Sequence, residues 1–258
     1  MKRYLLTAVI IGFSLLAACK QNSGDASRDR DVQKSAEIKL PGDIKPGVET
    51  ICIWDQAVLR SIPSREKGKF LASISLGETV IWLGESTIDS TDQNLEYHKI
   101  KLSDGKEGWT LAYSLVRGAR AAAITQKSYV HQRPDMLTVT DKIFEPMDMI
   151  AISKIDSDWL EVVGNQRKKS GWIQNNGVSF QEADVAVAIL ATKALREADP
   201  DKRRQLLTGI AENPALSNSV FMAGLRAMLS PTPSLEEELE GLEPPIDSGE
   251  QYPDDPGN

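Results

Sequence analysis

The chain has 258 residues, of which 41% are hydrophobic and 26% are charged, proportions that exclude wholesale disorder and allow one or two folded cores. Its formal net charge of −7 is concentrated at the C-terminus, where nine acidic residues and no Lys or Arg follow Arg226. The rest of the chain is therefore nearly neutral. Without a basic stripe to neutralise phosphates, nucleic acid is not expected as a partner.

The first 18 residues have the pattern of an export signal. Lys2 and Arg3 precede an apolar run, residues 5–16, that is too short to span a bilayer well. The sequence Leu16-Ala17-Ala18-Cys19 then resembles the lipobox of bacterial lipoproteins. The resemblance implies a signal peptide over residues 1–18, cleavage before Cys19, and a membrane anchor of several acyl chains on that residue. The alternative is an ordinary secretory signal with a chance Cys.

The residues after Cys19 are polar. Lys20 and Gln21 stand where an Asp would retain an enterobacterial lipoprotein in the inner membrane, so the resemblance favours the outer membrane of the cell envelope. Residues 19–47 have too few apolar side chains to offset the entropy of ordering, which predicts a disordered tether. Cys52 is then the only thiol without a lipid, and we interpret it as a small buried hydrophobe.

One β motif occurs twice in the chain. Residues 96–109 and 158–172 each contain an alternating strand, a polar turn and a Gly-Trp step, with Trp109 and Trp172 in equivalent places. Trp residues that directly follow a glycine at a turn exit are interpreted as structural. This duplication predicts a first module over residues 48–118 and a second, divergent module over residues 122–180.

Both modules resemble the bacterial SH3 domain, SH3b, which implies two small SH3-like β-barrels in tandem. The first module has the family's pattern of short elements in order, at Val58, Arg60 and Pro63, at Gly77-Glu78, at Tyr97 and Ile100, and at Asp104-Gly105 and Gly108-Trp109. In the second module His131 takes the Arg60 position, and Pro146 is aligned with Gly77. These departures lead us to expect ligand binding mainly by the first module.

Strand alternation predicts where a ligand could bind. Successive side chains of a strand point to opposite faces, so Tyr97, Lys99 and Lys101 lie opposite the aliphatic face, and Trp159 does so in the second module. An aromatic ring beside lysines suits a sugar or a carboxylate-bearing peptide. These four residues are the predicted ligand-binding surface. The alternative is that the two rings only cover the strand ends.

The C-terminal part changes from strand to helix periodicity. Residues 181–230 predict two or three helices, one of them beginning at Asp199-Pro200 and a third starting near Asn213. Residues 231–258 are acidic and rich in Pro, which predicts a disordered tail. The expected fold is therefore mainly β, with two SH3-like barrels followed by a helical segment.

No motif for catalysis, a metal or a cofactor is present in the sequence. Cys52, His98 and His131 all fall inside the predicted β modules and have no catalytic domain around them, so we do not expect an enzyme. The resemblance implies a lipid-anchored envelope protein whose SH3b-like modules hold peptidoglycan or a peptide partner. The alternative is a surface-exposed structural or host-interacting lipoprotein, in which the modules are spacers and the helices or the acidic tail bind a protein.

Overall fold

The computed structural model describes residues 39–230. The predicted signal peptide, Cys19, most of the tether and the acidic tail lie outside the described residues. Within residues 39–230 the chain forms fourteen β-strands and three α-helices. The strands of the first half are β1 Glu49–Cys52, β2 Ala57–Arg60, β3 Phe70–Ile74, β4 Thr79–Asp89, β5 Leu95–Lys101, β6 Glu107–Leu111 and β7 Leu115–Arg117.

The strands of the second half are β8 Arg120–Ile124, β9 Ser128–His131, β10 Val139–Phe144, β11 Met149–Asp156, β12 Trp159–Gly164, β13 Ser170–Gln174 and β14 Val178–Ser179. The helices are α1 Glu182–Ala194, α2 Pro200–Ala211 and α3 Met222–Leu229. The prediction of a mainly β chain followed by helices is confirmed. None of the described helices is both long enough and apolar enough to cross a membrane.

The fourteen strands form two seven-stranded antiparallel sheets with the same connectivity. The first has the order β3-β2-β6-β5-β4-β1-β7, and the second has β10-β9-β13-β12-β11-β8-β14. Each strand of the second sheet therefore occupies the place of the strand seven earlier in the chain. The equivalences also hold residue by residue, because Trp109 pairs with Arg60 and Lys99, and Trp172 pairs with His131 and Glu161.

The Gly-Trp step has a steric cause in both sheets. A Cβ added at Gly108 would lie 2.6 Å from the carbonyl oxygen of Arg60, and one added at Gly171 would lie 2.6 Å from that of His131. Only glycine lets strands β6 and β13 approach their neighbours this closely. The Trp that follows each glycine then points to the opposite side of its strand from that glycine.

The turn before β11 corrects one alignment. Met147, and not Pro146, occupies the place of Gly77: φ is +70° at Met147 and +77° at Gly77. In both turns the acidic side chain that follows, Glu78 or Asp148, accepts a hydrogen bond from the backbone N–H three residues earlier. This side-chain bond holds the turn although a methionine in the left-handed region is strained by about 1–2 kcal/mol.

The last residues of the predicted tether pack against the first sheet. Gly47 donates its N–H to the carbonyl oxygen of Trp82 (2.8 Å), and Val48 to that of Lys45. The Pro46 ring lies so close to Gly84 that a Cβ there would be 2.5 Å from Pro46 Cγ. Residues 44–47 are thus part of the folded unit, because a proline ring and one backbone hydrogen bond attach them.

Helix α1 is packed against both sheets. One buried apolar cluster contains Ile51 of β1, Ile53 directly after it, Met149 and Ala151 of β11, and residues of all three helices. Gly77 has no Cβ to meet Ile189 of α1, so the helix can approach the turn before β4. Gln166, in the loop after β12, also donates its N–H to the carbonyl oxygen of Ile53 (2.8 Å). The sheets and helices therefore share a core.

The ends of the helices agree with the sequence in one case and differ in another. Asp199 caps α2 as predicted, accepting hydrogen bonds from the N–H groups of Asp201 (3.0 Å) and Lys202 (3.3 Å). The third helix, however, begins at Met222 and not near Asn213. Asn213 instead caps a 3₁₀ turn at Pro214–Leu216, because its carbonyl side chain bonds the N–H of Ala215 locally.

Candidate functional site

Tyr97, the centre of the predicted ligand surface, is fully buried, which is a correction to the prediction. Arg65 of the β2–β3 loop and Asp92 of the β4–β5 turn form a two-bond ion pair, and both charges lie close enough to act on the Tyr97 hydroxyl. Burial raises the pKa of Tyr97, and the Asp92 carboxylate raises it further. Alternation places Tyr97 on the same face of β5 as Lys99 and Lys101, but it does not show that this end of the face is buried.

The two predicted lysines, Lys99 and Lys101, remain at the surface, but the aromatic residue of their strand, Tyr97, is buried. Lys99 is half-buried and donates to Glu85 (2.7 Å), while exposed Lys101 lies 3.5 Å from Glu107. Exposed pairs of this kind contribute little to stability, about 0–1 kcal/mol. These lysines therefore do not form a binding surface together with Tyr97.

Trp159 lies in the other module and is half-buried. Its ring meets the His131 ring edge-on, with 4.8 Å between the ring centroids. His131 is itself buried, and its Nδ1 lies 3.1 Å from the carbonyl oxygen of Asp135. The structure thus separates the four predicted residues into a buried Tyr, two paired lysines and a Trp that supports His131.

Equivalent rows of side chains cross the two sheets. In the first sheet one row runs Lys99, Trp109, Arg60 and Phe70, and in the second it runs Glu161, Trp172, His131 and Val139. The charged position has opposite sign in the two modules, Lys99 in one and Glu161 in the other. A sequence alignment of the two repeats could have shown that Glu161 takes the place of Lys99, because that alignment needs only the positions of the two Trp residues.

The row of the second sheet borders a groove of about 770 Å³, which we call the second-module groove. Its walls supply hydroxyls, both signs of charge and one indole, from His131, Thr140, Asp141, Lys142, Ser153, Glu161, Arg167, Ser170 and Trp172 among others. The volume lies in the range typical of small-ligand sites, about 300–1,000 Å³. Sequence reasoning had favoured the first module and treated Trp172 as structural.

Polar groups in this groove are fixed by neighbours. Lys154 places its Nζ over the Trp172 ring, 5.4 Å from the centroid, and Trp172 is only 9% exposed. Ser153 donates its hydroxyl to Glu161 Oε2 (3.2 Å). The groove wall therefore offers a carboxylate and an indole from one row, and Lys154, which pairs with Glu161 across β11 and β12, places its ammonium group over that indole.

The residues that could serve catalysis are poorly placed for it. The Cys52 thiol is buried, and desolvation raises its pKa to about 12, so it is protonated at neutral pH. Ser86 Oγ lies 2.8 Å from His98 Nδ1, but Glu96 approaches the same nitrogen (3.8 Å), whereas a catalytic triad uses the two ring nitrogens separately. Within residues 39–230 no group of three His, Cys, Asp or Glu side chains could hold a metal ion.

Comparison with known proteins gives little further information. No family model matches the chain, and no curated protein matches it. Among solved structures, NlpC2 from Trichomonas vaginalis is similar at 9% identity and a TM-score of 0.24, over 65% of this chain and 57% of that one. NlpC1 from Trichomonas vaginalis is similar at 10% identity and the same TM-score, over 65% and 64%. The match thus spans less than two thirds of each chain, and TM-scores this low do not establish a common fold.

Proposed function

We propose that the chain is a lipid-anchored cell-envelope protein whose SH3b-like modules hold peptidoglycan or a peptide partner. The lipobox ending at Cys19 supports the anchor, and the order of motifs in the first module supports the SH3b assignment. Two consecutive sheets of identical strand order are what a tandem of small barrels requires. The favoured location is the outer membrane, because Lys20-Gln21 lacks the retaining Asp.

One observation favours the second-module groove as the binding site. Glu161, Trp172 and His131 are adjacent across three strands, with Lys154 over the indole. Cell-wall peptides carry both amines and carboxylates, and their sugars have apolar ring faces, so a row with both charges beside an indole matches them chemically. Arg167 is among the residues that line the groove.

Sedimentation of the full chain with purified cell walls tests this function. We expect Glu161→Gln, in the groove wall, and Lys154→Gln, which removes the ammonium group over the Trp172 indole, each to lower retention several-fold, since each removes a charge that can bond the ligand. Lys101→Gln in the first module is the matched control and should bind like the parent, because its lysine is exposed and pairs only with Glu107. Unchanged retention by both groove variants would remove the groove from consideration.

The alternative function has one structural observation in its favour. Leu195, Val220 and Met228 of the helical part are each more than half exposed, at 53%, 58% and 57%. Exposed apolar side chains of this kind suit a protein partner. If the parent chain does not sediment with cell walls at all, a protein-binding lipoprotein with the β modules as spacers becomes the favoured function.

A further inference from the structure

A second recess, which shares only Arg167 with the second-module groove, lies where the two modules meet. It has a volume of about 470 Å³, and its lining includes apolar residues, among them Ile44, Leu95 and Val116. The lining also includes four polar groups, Glu96, His98, Arg117 and Arg167. We call this recess the junction pocket.

The two arginines of the junction pocket are held by groups other than carboxylates. Arg117 stacks on the Trp82 ring, with its Cζ 4.6 Å from the centroid. Arg167 donates Nε–H to the carbonyl oxygen of Tyr113 (2.8 Å) and one terminal N–H to that of Leu115 (2.6 Å). Within residues 39–230 neither guanidinium has a carboxylate ion-pair partner. Both are thus oriented by neutral contacts and keep their positive charge.

The remaining charges do not cancel the two guanidinium groups. His98 is buried with Nδ1 beside the Ser86 hydroxyl (2.8 Å), and burial, followed by the Arg117 charge, lowers its pKa. The ring is therefore neutral at pH 7, and Glu96 is the one carboxylate among the residues that line the pocket. Two cations against one anion leave a positive pocket with an apolar wall.

We propose that the junction pocket binds a small carboxylate with an apolar body, with the carboxylate held by Arg117 and the body against Ile44, Leu95 and Val116. A guanidinium group matches a carboxylate in geometry and is more easily desolvated than an ammonium group. Because the Arg117 guanidinium group stacks on Trp82, its plane is fixed before a ligand binds, and less conformational entropy is lost on binding. Arg167 also lines the pocket, and its terminal nitrogen Nη1 has no hydrogen bond within residues 39–230.

The chain contains only two histidines, which makes the pocket directly observable by NMR. His98 lines the junction pocket, while His131 lies against Trp159 and lines the second-module groove, so its signals report any binding there. The full chain is titrated at pH 7 with N-acetylleucine, N-acetylleucinamide or inorganic phosphate while the imidazole signals are followed. We expect N-acetylleucine to move the His98 signals saturably and to leave those of His131 in place.

The three probes separate the two halves of the proposal. N-acetylleucinamide lacks the negative charge. Its affinity should be at least about tenfold lower than that of N-acetylleucine, because a charge-assisted hydrogen bond is lost. Phosphate lacks an apolar body and should also bind more weakly than N-acetylleucine. Equal binding of the amide would overturn the anion site, and equal binding of phosphate would overturn the apolar part. If the His131 signals move and saturate at the same concentration of N-acetylleucine as those of His98, the ligand has no preference for the junction pocket, which would overturn the proposed site.

Two variants and a control test the residues. Arg117→Gln should weaken N-acetylleucine binding about tenfold, whereas Arg120→Gln, which removes another arginine stacked on an aromatic ring (Phe180, 5.0 Å), should not change it. Glu96→Gln removes the opposing carboxylate from an exposed position and should tighten binding by about two- to fivefold. An unperturbed His131 spectrum shows that each variant is folded. Parent-like affinity in both Arg117→Gln and Glu96→Gln would refute the proposal.

Discussion

Replacing Asp184 by alanine should be among the most destabilising single changes in the helical part. The Asp184 side chain is fully buried in the first turn of α1. Its carboxylate accepts hydrogen bonds from the Ser179 hydroxyl at the end of β14, from the Ser219 hydroxyl (2.7 Å) and from the Val220 N–H (2.9 Å). One carboxylate thus connects the second sheet, α1 and the segment before α3.

The size of the effect follows from these three bonds. A hydrogen bond to a charged group contributes about 1.5–3 kcal/mol, and removing one partner leaves buried donors without an acceptor. Because the bonds are not additive, we expect Asp184→Ala to lower the free energy of unfolding by about 3–5 kcal/mol. Asp184→Asn keeps one acceptor oxygen and should fall between the parent and the alanine variant.

Urea unfolding followed by tryptophan fluorescence and circular dichroism measures the change. Glu182→Ala is the matched control, since Glu182 lies in the same helical turn but is exposed, and it should change stability by no more than about 0.5 kcal/mol. A loss of less than about 1 kcal/mol in Asp184→Ala, with an unchanged denaturant slope, would refute the argument that this carboxylate joins the three elements.

Three further changes are predicted. Gly171→Ala should destabilise the second sheet by about 2–3 kcal/mol in the same urea assay, because the new Cβ would lie 2.6 Å from the His131 carbonyl oxygen. Gly105→Ala is the control: its Cβ would meet nothing within 4 Å, so it should lower stability by only about 1–2 kcal/mol, the strain of its positive φ. The pKa of His98 is lowered in the folded chain, so stability should fall as the pH drops below about 6.5, and His98→Gln should flatten that dependence. Cys52, with a pKa of about 12, should resist iodoacetamide at pH 8 until the chain is unfolded; rapid native alkylation would contradict its burial.

The residue spacing predicted the mainly β architecture and the helical part because both signals are local. The Gly-Trp steps give the register of β6 and β13, and Asp199-Pro200 gives the start of α2. The start of α3 was predicted less well, because Asn213 can cap a single 3₁₀ turn as readily as a helix. Local side-chain bonds of this kind do not show how far a helix continues.

The candidate site was harder to predict, since it depends on contacts between distant residues. Tyr97 is on the same face of β5 as Lys99, as alternation indicates, but it is fully buried near the pair of Arg65 and Asp92, whose members are 27 residues apart in sequence. Met147 could be aligned with Gly77 only after the turn hydrogen bonds were known. The groove and the junction pocket arise from several strands at once, and no short motif indicates either.

The pairing of β1 with β7 has a mechanical consequence. Thr50 lies opposite Arg117, so the chain enters and leaves the first sheet at neighbouring positions. Tension applied between these two points would pull antiparallel strands apart from one end and break their hydrogen bonds in sequence, like a zipper. Resistance to stretching would then depend on the buried side chains of β1, Ile51 above all, and not on that row of backbone bonds.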